Sequence, residues 1–396
     1  MRILLCQNAE WVPTYGGASK ANRTLMEQLA ARGHECLVIV PTGSMHWGWP
    51  RHRFVEELAV RSIVPTKVSS DTDAFLLNGV RVEAVTEPSR ASALRSIALC
   101  GRLDRAIVTF KPDCILVGSE DRAQRILASA TKHVGVPVIY IARSSSMLGI
   151  GPMAFFPNSS ARSLLEKAAT IVTNSSYLAD YVWRYSRLKS VVLDVATYEI
   201  APRPEPPGSE VLMINPCHIK GIDILFGLAS NFPRTTFTAV PGWGTTSADL
   251  AALADRPNIA LAAPDDRIAN ILQRARMLLV PSLWDEAFGR VVVEAMAVGT
   301  PVLASDMGGL PEAMLGVPGL IPVQGIEGYE NRLDERGVPI AKRRSQSLTA
   351  WCDATSDLLK DTVHSERSSL AHDAAKFYAG GLSISAWELV LECATA

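Results

Sequence analysis

Residues 281–312, PSLWDEAFGRVVVEAMAVGTPVLASDMGGLPE, constrain the fold more than any other part of the chain. The apolar run Met277 to Val280 stops at Pro281, and helical periodicity starts near Phe288, with Val291, Val292, Ala295, Met296 and Val298 on the packed side. Gly299 ends that helix, Pro301 opens a second apolar run, Val302 to Ala304, and Asp306 to Gly309 form a flexible turn. Strand, loop, helix and strand make one βαβ unit, which commits its surroundings to a parallel sheet.

Two carboxylates in this unit are not explained by packing. Glu294 interrupts VVV and AMAV in an otherwise apolar helix, and an ionised carboxylate buried alone is strongly unfavourable. Glu286 lies eight positions earlier, in the loop before the helix, where Phe288, Gly289 and Arg290 present backbone N–H groups at a positive helix start. Gly289 lets an anion approach the backbone closely. Taken singly, Glu286 reads as a first-turn charge and Glu294 as the partner of an arginine. Together, two acceptor-only carboxylates flanking an anion site suit a ligand with both phosphates and vicinal hydroxyls, as in a nucleotide sugar.

The combination resembles the signature of the retaining glycosyltransferases of family 4. It comprises Pro281-Ser282, Glu286-Ala287-Phe288-Gly289, Glu294 to Val302, and Gly308 to Glu312. The resemblance implies an α/β chain of the GT-B fold, two Rossmann-like doubly wound domains facing each other across a cleft. It also implies transfer of a sugar from a nucleotide diphosphate to a hydroxyl-bearing acceptor, with the anomeric configuration kept and no metal required. In such an enzyme Glu294 holds the ribose hydroxyls, Glu286 positions the transferred sugar as a catalytic residue, and the helix start at Phe288, Gly289 and Arg290 takes the diphosphate. Lys220, in Lys220-Gly221 beyond a strand end, is the catalytic cation that grips the donor phosphates. Its other reading is a solvated lysine. The family arginine five residues earlier is Asn215 here, so one phosphate charge is absent from the donor set, and Arg290 or His218 is its candidate replacement.

The first half opens as strand Arg2 to Gln7, a glycine-bearing loop, helix Asn22 to Arg32 and strand Cys36 to Val40, the start of a doubly wound sheet without GxGxxG. Gly16 and Gly17 at the helix entry read either as a plain turn or as bare backbone facing phosphate; the resemblance favours donor contact. Ala74 to Val85 reads as a hairpin turning at Asn78-Gly79. Helices are expected over 94–108, 121–134 and 163–169, and strands over 114–117, 138–142 and 171–173, with Asn174-Ser175-Ser176 capping a helix to Tyr185. Where many family members carry a histidine after the strand ending at Ala142, this chain has Arg143 and Ser144 to Ser146. Arg143 is read either as a ligand contact in the acceptor or sugar pocket, with Ser144, or as the partner of a core carboxylate. The apolar segment Met147 to Pro157 is read as acceptor pocket lining, as peripheral membrane contact or as loop packing.

APRPEPPGS, residues 201–209, is the Pro-dense linker between an acceptor-binding domain, 1–200, and a donor-binding domain, 201–379. The last helix, within 380–396, is expected to pack back on the first domain. Strands are expected over 210–214, 236–240 and 259–261 and helices over 268–275, 347–363 and 365–379, with 325–346 irregular. A length of 396 residues fits two to three domains. The balance of 39 basic and 40 acidic residues offers no field for nucleic acid. Seven scattered cysteines without a CxxC pair argue for reduced thiols in a cytoplasm and against a zinc site. Neither a signal peptide nor a membrane span is expected. The donor is expected to be a UDP-, GDP- or dTDP-sugar and the acceptor a small molecule, a glycan or a lipid-linked sugar. Competing classes are an epimerase or phosphorylase on the same fold, a dinucleotide oxidoreductase, and a non-catalytic nucleotide-sugar sensor.

Overall fold

The computed structural model describes residues 1–14, 16–43, 51–86 and 92–396, so Tyr15 of the glycine loop lies outside it. Two compact units emerge: Met1–Thr197 with Ser383–Ala396, and Tyr198–Leu382.

In the first unit the strands are β1 (Arg2–Cys6), β2 (Glu35–Pro41), β3 (Thr66–Ser69), β4 (Thr72–Leu77), β5 (Val80–Val85), β6 (Cys114–Gly118), β7 (Val138–Ala142), β8 (Thr170–Thr173) and β9 (Val191–Val192). They form one sheet ordered β3-β4-β5-β2-β1-β6-β7-β8-β9. From β5 to β9 every pairing is parallel, as in Leu5 opposite Val38 and Leu116. The expected hairpin is present: Leu77 pairs with Val80 across Asn78 and Gly79, whose φ values of 48° and 80° give the turn favoured between twisted strands. The edge strand β3 was not anticipated, because TKVS carries no alternating apolar signal.

Chain order leads from β1 to β2 on one side and then jumps to β6 on the other, so the topological switch lies between β1 and β6. The helix after β1, Gly17–Ala31, begins five residues before the expected Asn22. Gly16 takes the extended N-cap conformation, and the polar first turn has no apolar periodicity to betray it. Ser175 caps the helix Ser176–Ser186 by accepting the Leu178 N–H at 3.0 Å. The final helix, Ile384–Thr395, packs in this unit: Trp387 is fully buried and its Nε1 donates to Asp194 O at 3.0 Å.

The second unit contains β10 (Glu210–Ile214), β11 (Phe237–Val240), β12 (Ile259–Leu261), β13 (Ala275–Val280), β14 (Val302–Ser305) and β15 (Leu320–Ile321). They lie in the order β12-β11-β10-β13-β14-β15, all parallel, with the switch between β10 and β13. Period-two alternation sends Val211, Met213, Met277 and Leu279 to one core, with the helix Ile222–Asn231. Leu212, Leu278 and Val280 face the other core, with the helix Arg290–Ala297. Helices on both faces make the sheet doubly wound.

Two expectations fail locally. The helix expected over 268–275 ends at Leu272, because Ala275 to Val280 are taken into β13 beside β10. The stretch expected to be irregular contains an antiparallel hairpin, β16 (Tyr329–Leu333) and β17 (Pro339–Ala341), whose charged first strand and three-residue second strand gave no alternating signal. The segment from Met147 to Pro157 turns inward: Met147, Leu148, Ile150, Ala154 and Phe155 are buried, which is the loop-packing reading. Among the described residues no helix is long and apolar enough to cross a membrane.

Candidate active site

The loops that leave β10 and β13 converge at the switch of the second unit. Gly221, at φ +79°, ends the short turn His218–Lys220, and a Cβ there would lie 2.0 Å from Pro281 O. Only glycine permits this contact, which presses the β10 loop onto the β13 loop and sets Lys220 against Glu286. Lys220 Nζ donates to Glu286 Oε1, and Ser282 Oγ donates to the same oxygen at 2.6 Å. Lys220 also lies 4.9 Å over the Trp284 ring, and Trp243 packs on Trp284 with centroids 5.9 Å apart. Ser282, wholly buried, is fixed in turn by Ser305 Oγ, which donates to its carbonyl at 2.6 Å. Burial pushes the Glu286 carboxyl up, but the Lys220 charge and hydrogen bonds from Lys220, Ser282 and Trp284 outweigh it and hold the group below the usual range.

Gly308 and Gly309 explain how the Glu286 loop keeps its shape. A Cβ on Gly308 would meet Glu286 N and O at 2.5 Å, and one on Gly309 would meet Ala287 O at 2.6 Å. Gly309 N donates to Glu286 O at 2.7 Å. The glycine pair therefore serves backbone contact with the loop. Gly289, at φ +103°, is the N-cap of the helix Arg290–Ala297, whose positive first turn opens beyond the carboxyl end of β13 and whose Val292 N–H donates to Gly289 O at 2.8 Å. Glu294 is half-buried on that helix rather than enclosed by its apolar neighbours.

Three members of the expected donor set are occupied by the fold. The Phe288 ring is buried and stacked 5.9 Å from Tyr378, so its backbone alone is left for a ligand. The Arg290 guanidinium lies 4.7 Å over Tyr198 and is buried. Asn215, at φ 56°, is buried and accepts the Gly244 N–H at 2.9 Å, which shapes the loop after β11. That loop is held from its other side by the hairpin turn between β16 and β17. Arg336 Nε donates to Thr245 O at 3.0 Å and Ser247 Oγ donates to Glu335 at 2.8 Å. Ser282, Trp243, Trp284 and this hairpin were missed by sequence reasoning; the Pro281-Ser282 strand end was the available signal for the first.

In the first unit Gly16 and Gly17 open the helix Gly17–Ala31. Gly16 has φ −91°, and a Cβ there would meet nothing nearer than Ser19 Oγ at 3.6 Å, so neither strain nor crowding demands glycine. Arg143 is buried, 3.8 Å from Asp194, with Nε donating to Asn22 Oδ1 at 3.3 Å and the guanidinium 5.8 Å from the Trp387 ring. These contacts match its reading as the partner of a core carboxylate. Ser144 Oγ hydrogen-bonds Ser146 Oγ at 2.7 Å. Glu120, just past β6, was missed as well, since Ser-Glu-Asp after a strand reads as an ordinary loop. Among the described residues no group of three or more His, Cys, Asp or Glu side chains is placed to hold a metal.

Residues 15–193 match the model "Glycosyltransferase Family 4", and residues 246–316 match "Glycosyl transferases group 1". A 2-deoxystreptamine N-acetyl-D-glucosaminyltransferase of Streptomyces fradiae is 27% identical over 87% of each chain. A D-inositol 3-phosphate glycosyltransferase of Mycolicibacterium smegmatis is 28% identical over 42% of this chain and 33% of its own length. In structure, HepE of Anabaena, solved in complex with UDP-glucose, superposes with a TM-score of 0.67 at 15% identity, covering 99% of this chain and 98% of its own. Sucrose-phosphate synthase of Thermosynechococcus elongatus gives 0.68 at 14% identity, covering 95% and 94%. With both family models on one chain and both sheets parallel around a switch, the chain is a glycosyltransferase of the GT-B fold, similar to family 4.

Proposed function

We propose that this glycosyltransferase moves a sugar from a nucleotide diphosphate to a hydroxyl of a small polyhydroxylated ring, with the anomeric configuration retained. The observation that carries the reading is the convergence of Lys220, Ser282 and Glu286 at the switch of the second unit, beside a helix start. Ligands of doubly wound sheets bind at that point, outside the carboxyl ends of the strands. Lys220 and the N–H groups at Gly289 and Arg290 take the diphosphate, Glu294 takes the ribose hydroxyls, and Glu286 takes hydroxyls of the transferred sugar. Phe288 contributes backbone only, and Asn215 acts by shaping the loop at Gly244 rather than by charge. Gly16 and Gly17 offer bare backbone to the donor.

The chemistry is a displacement at the anomeric carbon. The acceptor oxygen bonds to that carbon as the bond to the diphosphate breaks, and the departing diphosphate oxygen takes the acceptor proton on the same face. Lys220 stabilises the charge that develops on the leaving group. Because side chains and backbone supply this charge, the reaction needs no resident metal. Residence in the cytoplasm, where nucleotide sugars and reduced thiols coexist, is part of the proposal.

The ring acceptor is supported by two relatives, one named for 2-deoxystreptamine and the other for inositol 3-phosphate, both cyclitols. They leave the acceptor charge open, cationic in the one and anionic in the other. A panel of UDP-, GDP- and dTDP-sugars tested by thermal shift identifies the donor. NMR of the product then reads its anomeric configuration. A retained linkage is expected; an inverted one, or epimerised donor without transfer, contradicts the reading.

A further inference from the structure

We infer that the acceptor is cationic: a ring bearing a protonated amine among its hydroxyls, whose ammonium is received by Glu120 in the first unit. The inference rests on the transferase reading above and concerns its acceptor.

Glu120 stands two residues past β6, one of the two strands that border the switch of this sheet. Gly118 lets it fold back over the strand end, since a Cβ there would lie 2.6 Å from Glu120 Oε2, 3.1 Å from Gln7 Cβ and 3.3 Å from Asn22 Nδ2. Oε1 has Ser119 Oγ at 3.4 Å, a long contact. Oε2 is closed to solvent and receives no hydrogen bond from any described residue.

Of the groups around it, Asn22, Arg143 and Asp121 are committed elsewhere. Asn22 Nδ2 donates to Gln7 Oε1 at 3.0 Å, and Asn22 Oδ1 accepts from Arg143 Nε. Arg143 pairs with Asp194, and its backbone N–H donates to Ser119 Oγ at 3.1 Å. Asp121 accepts the Ile126 N–H at 2.7 Å and Ser96 Oγ at 3.0 Å. Burial pushes the Glu120 carboxyl up, and its own backbone N–H, Arg143 and Ser119 offset this only in part.

These facts select the charge of the ligand. A shielded carboxylate oxygen without a donor is costly, and a charge-assisted bond from an ammonium removes that cost. A neutral hydroxyl supplies a weaker bond and leaves the charge uncompensated. An anionic ring meets repulsion from Glu120, while the nearby guanidinium of Arg143 is already paired.

The test is calorimetric titration of the full chain with 2-deoxystreptamine and with myo-inositol, without nucleotide, repeated on Glu120→Gln after circular dichroism shows that it folds. The amine is expected to bind at least about tenfold more tightly than the polyol, and Glu120→Gln to weaken it by about 10- to 100-fold, the range for losing a hydrogen bond to a charged group. Equal affinity for the two rings, tighter binding of inositol, no binding of either, or an unchanged Glu120→Gln overturns the inference. Should the variant fail to fold, the wild-type comparison of the two rings decides alone. Failure of the transferase reading shows differently: the amine binds through Glu120, yet no sugar passes to it from any donor of the panel.

Discussion

The two units share a plan and differ in what they place at its focus. Each sheet runs third, second and first strand on one side of the switch and fourth, fifth and sixth on the other, counting parallel strands in chain order, with a seventh, β9, at the edge of the first. In the second unit the focus holds a lysine, a glutamate and a helix start. In the first it holds a buried network of Gln7, Asn22, Ser119, Arg143 and Asp194, in which side chains satisfy one another beside Glu120, whose Oε2 they leave without a donor. The same topology thus sets a lysine–glutamate pair beside a helix start in one unit and a carboxylate in a polar frame in the other. A switch point fixes where a ligand goes, and the side chains at the strand ends fix which ligand.

The contrast is broken most severely by cutting the ion pair in the first unit. Arg143→Ala leaves Asp194 buried without its cation, and the unit is expected to lose about 3–5 kcal/mol, read from denaturant unfolding. A loss below about 1 kcal/mol would show that the network is not a structural frame. In the second unit Glu286→Gln should leave the fold standing and lower turnover by about 10²- to 10³-fold, the scale for a lost electrostatic contact at a reacting centre. Retained turnover removes Glu286 from the chemistry. Gly309→Ala should cost about 1–3 kcal/mol, because the new methyl meets the Ala287 carbonyl. Its melting temperature measures how far the β14 loop supports the Glu286 loop.

The smallest effect is the pH dependence of the Lys220–Glu286 pair. The folded-state pKa of Glu286 is lowered, so its contribution to stability is complete above the unfolded value of about 4.3 and fades as pH falls through the folded one. Melting curves of wild type and Lys220→Ala should differ at pH 6 and converge as the pH falls below the unfolded value and through the folded one. A gap that widens on acidification has the wrong sign.

Much of the fold was legible because its parallel strands are uniformly apolar and bounded by turn residues. Strands over 138–142, 210–214 and 259–261 were bounded as the structure has them. What escaped notice lacked that signal: the short edge strands β3 and β9, the charged hairpin of β16 and β17, and the polar first turn before Asn22. At the site, motif spacing picked out Glu286, Glu294 and Lys220, but it could not show that Lys220 and Glu286 touch across 66 positions. Nor could it separate a residue's backbone from its side chain, so Phe288 and Arg290 appear as ligand groups in the sequence and as packed groups in the structure. Glu120 illustrates the opposite case, since its environment joins the end of β6 next to it with Gln7 after β1 and Asn22 of the helix Gly17–Ala31, which are distant in sequence.

The central claim is that the pair at the second switch is where the activated sugar is held. Calorimetric titration of wild type and Lys220→Ala with the donor found in the panel tests it most directly. The account predicts saturable binding to wild type, weakened at least about tenfold in the variant, as expected for loss of a charge-assisted contact to phosphate. Equal affinity in a folded Lys220→Ala would contradict it.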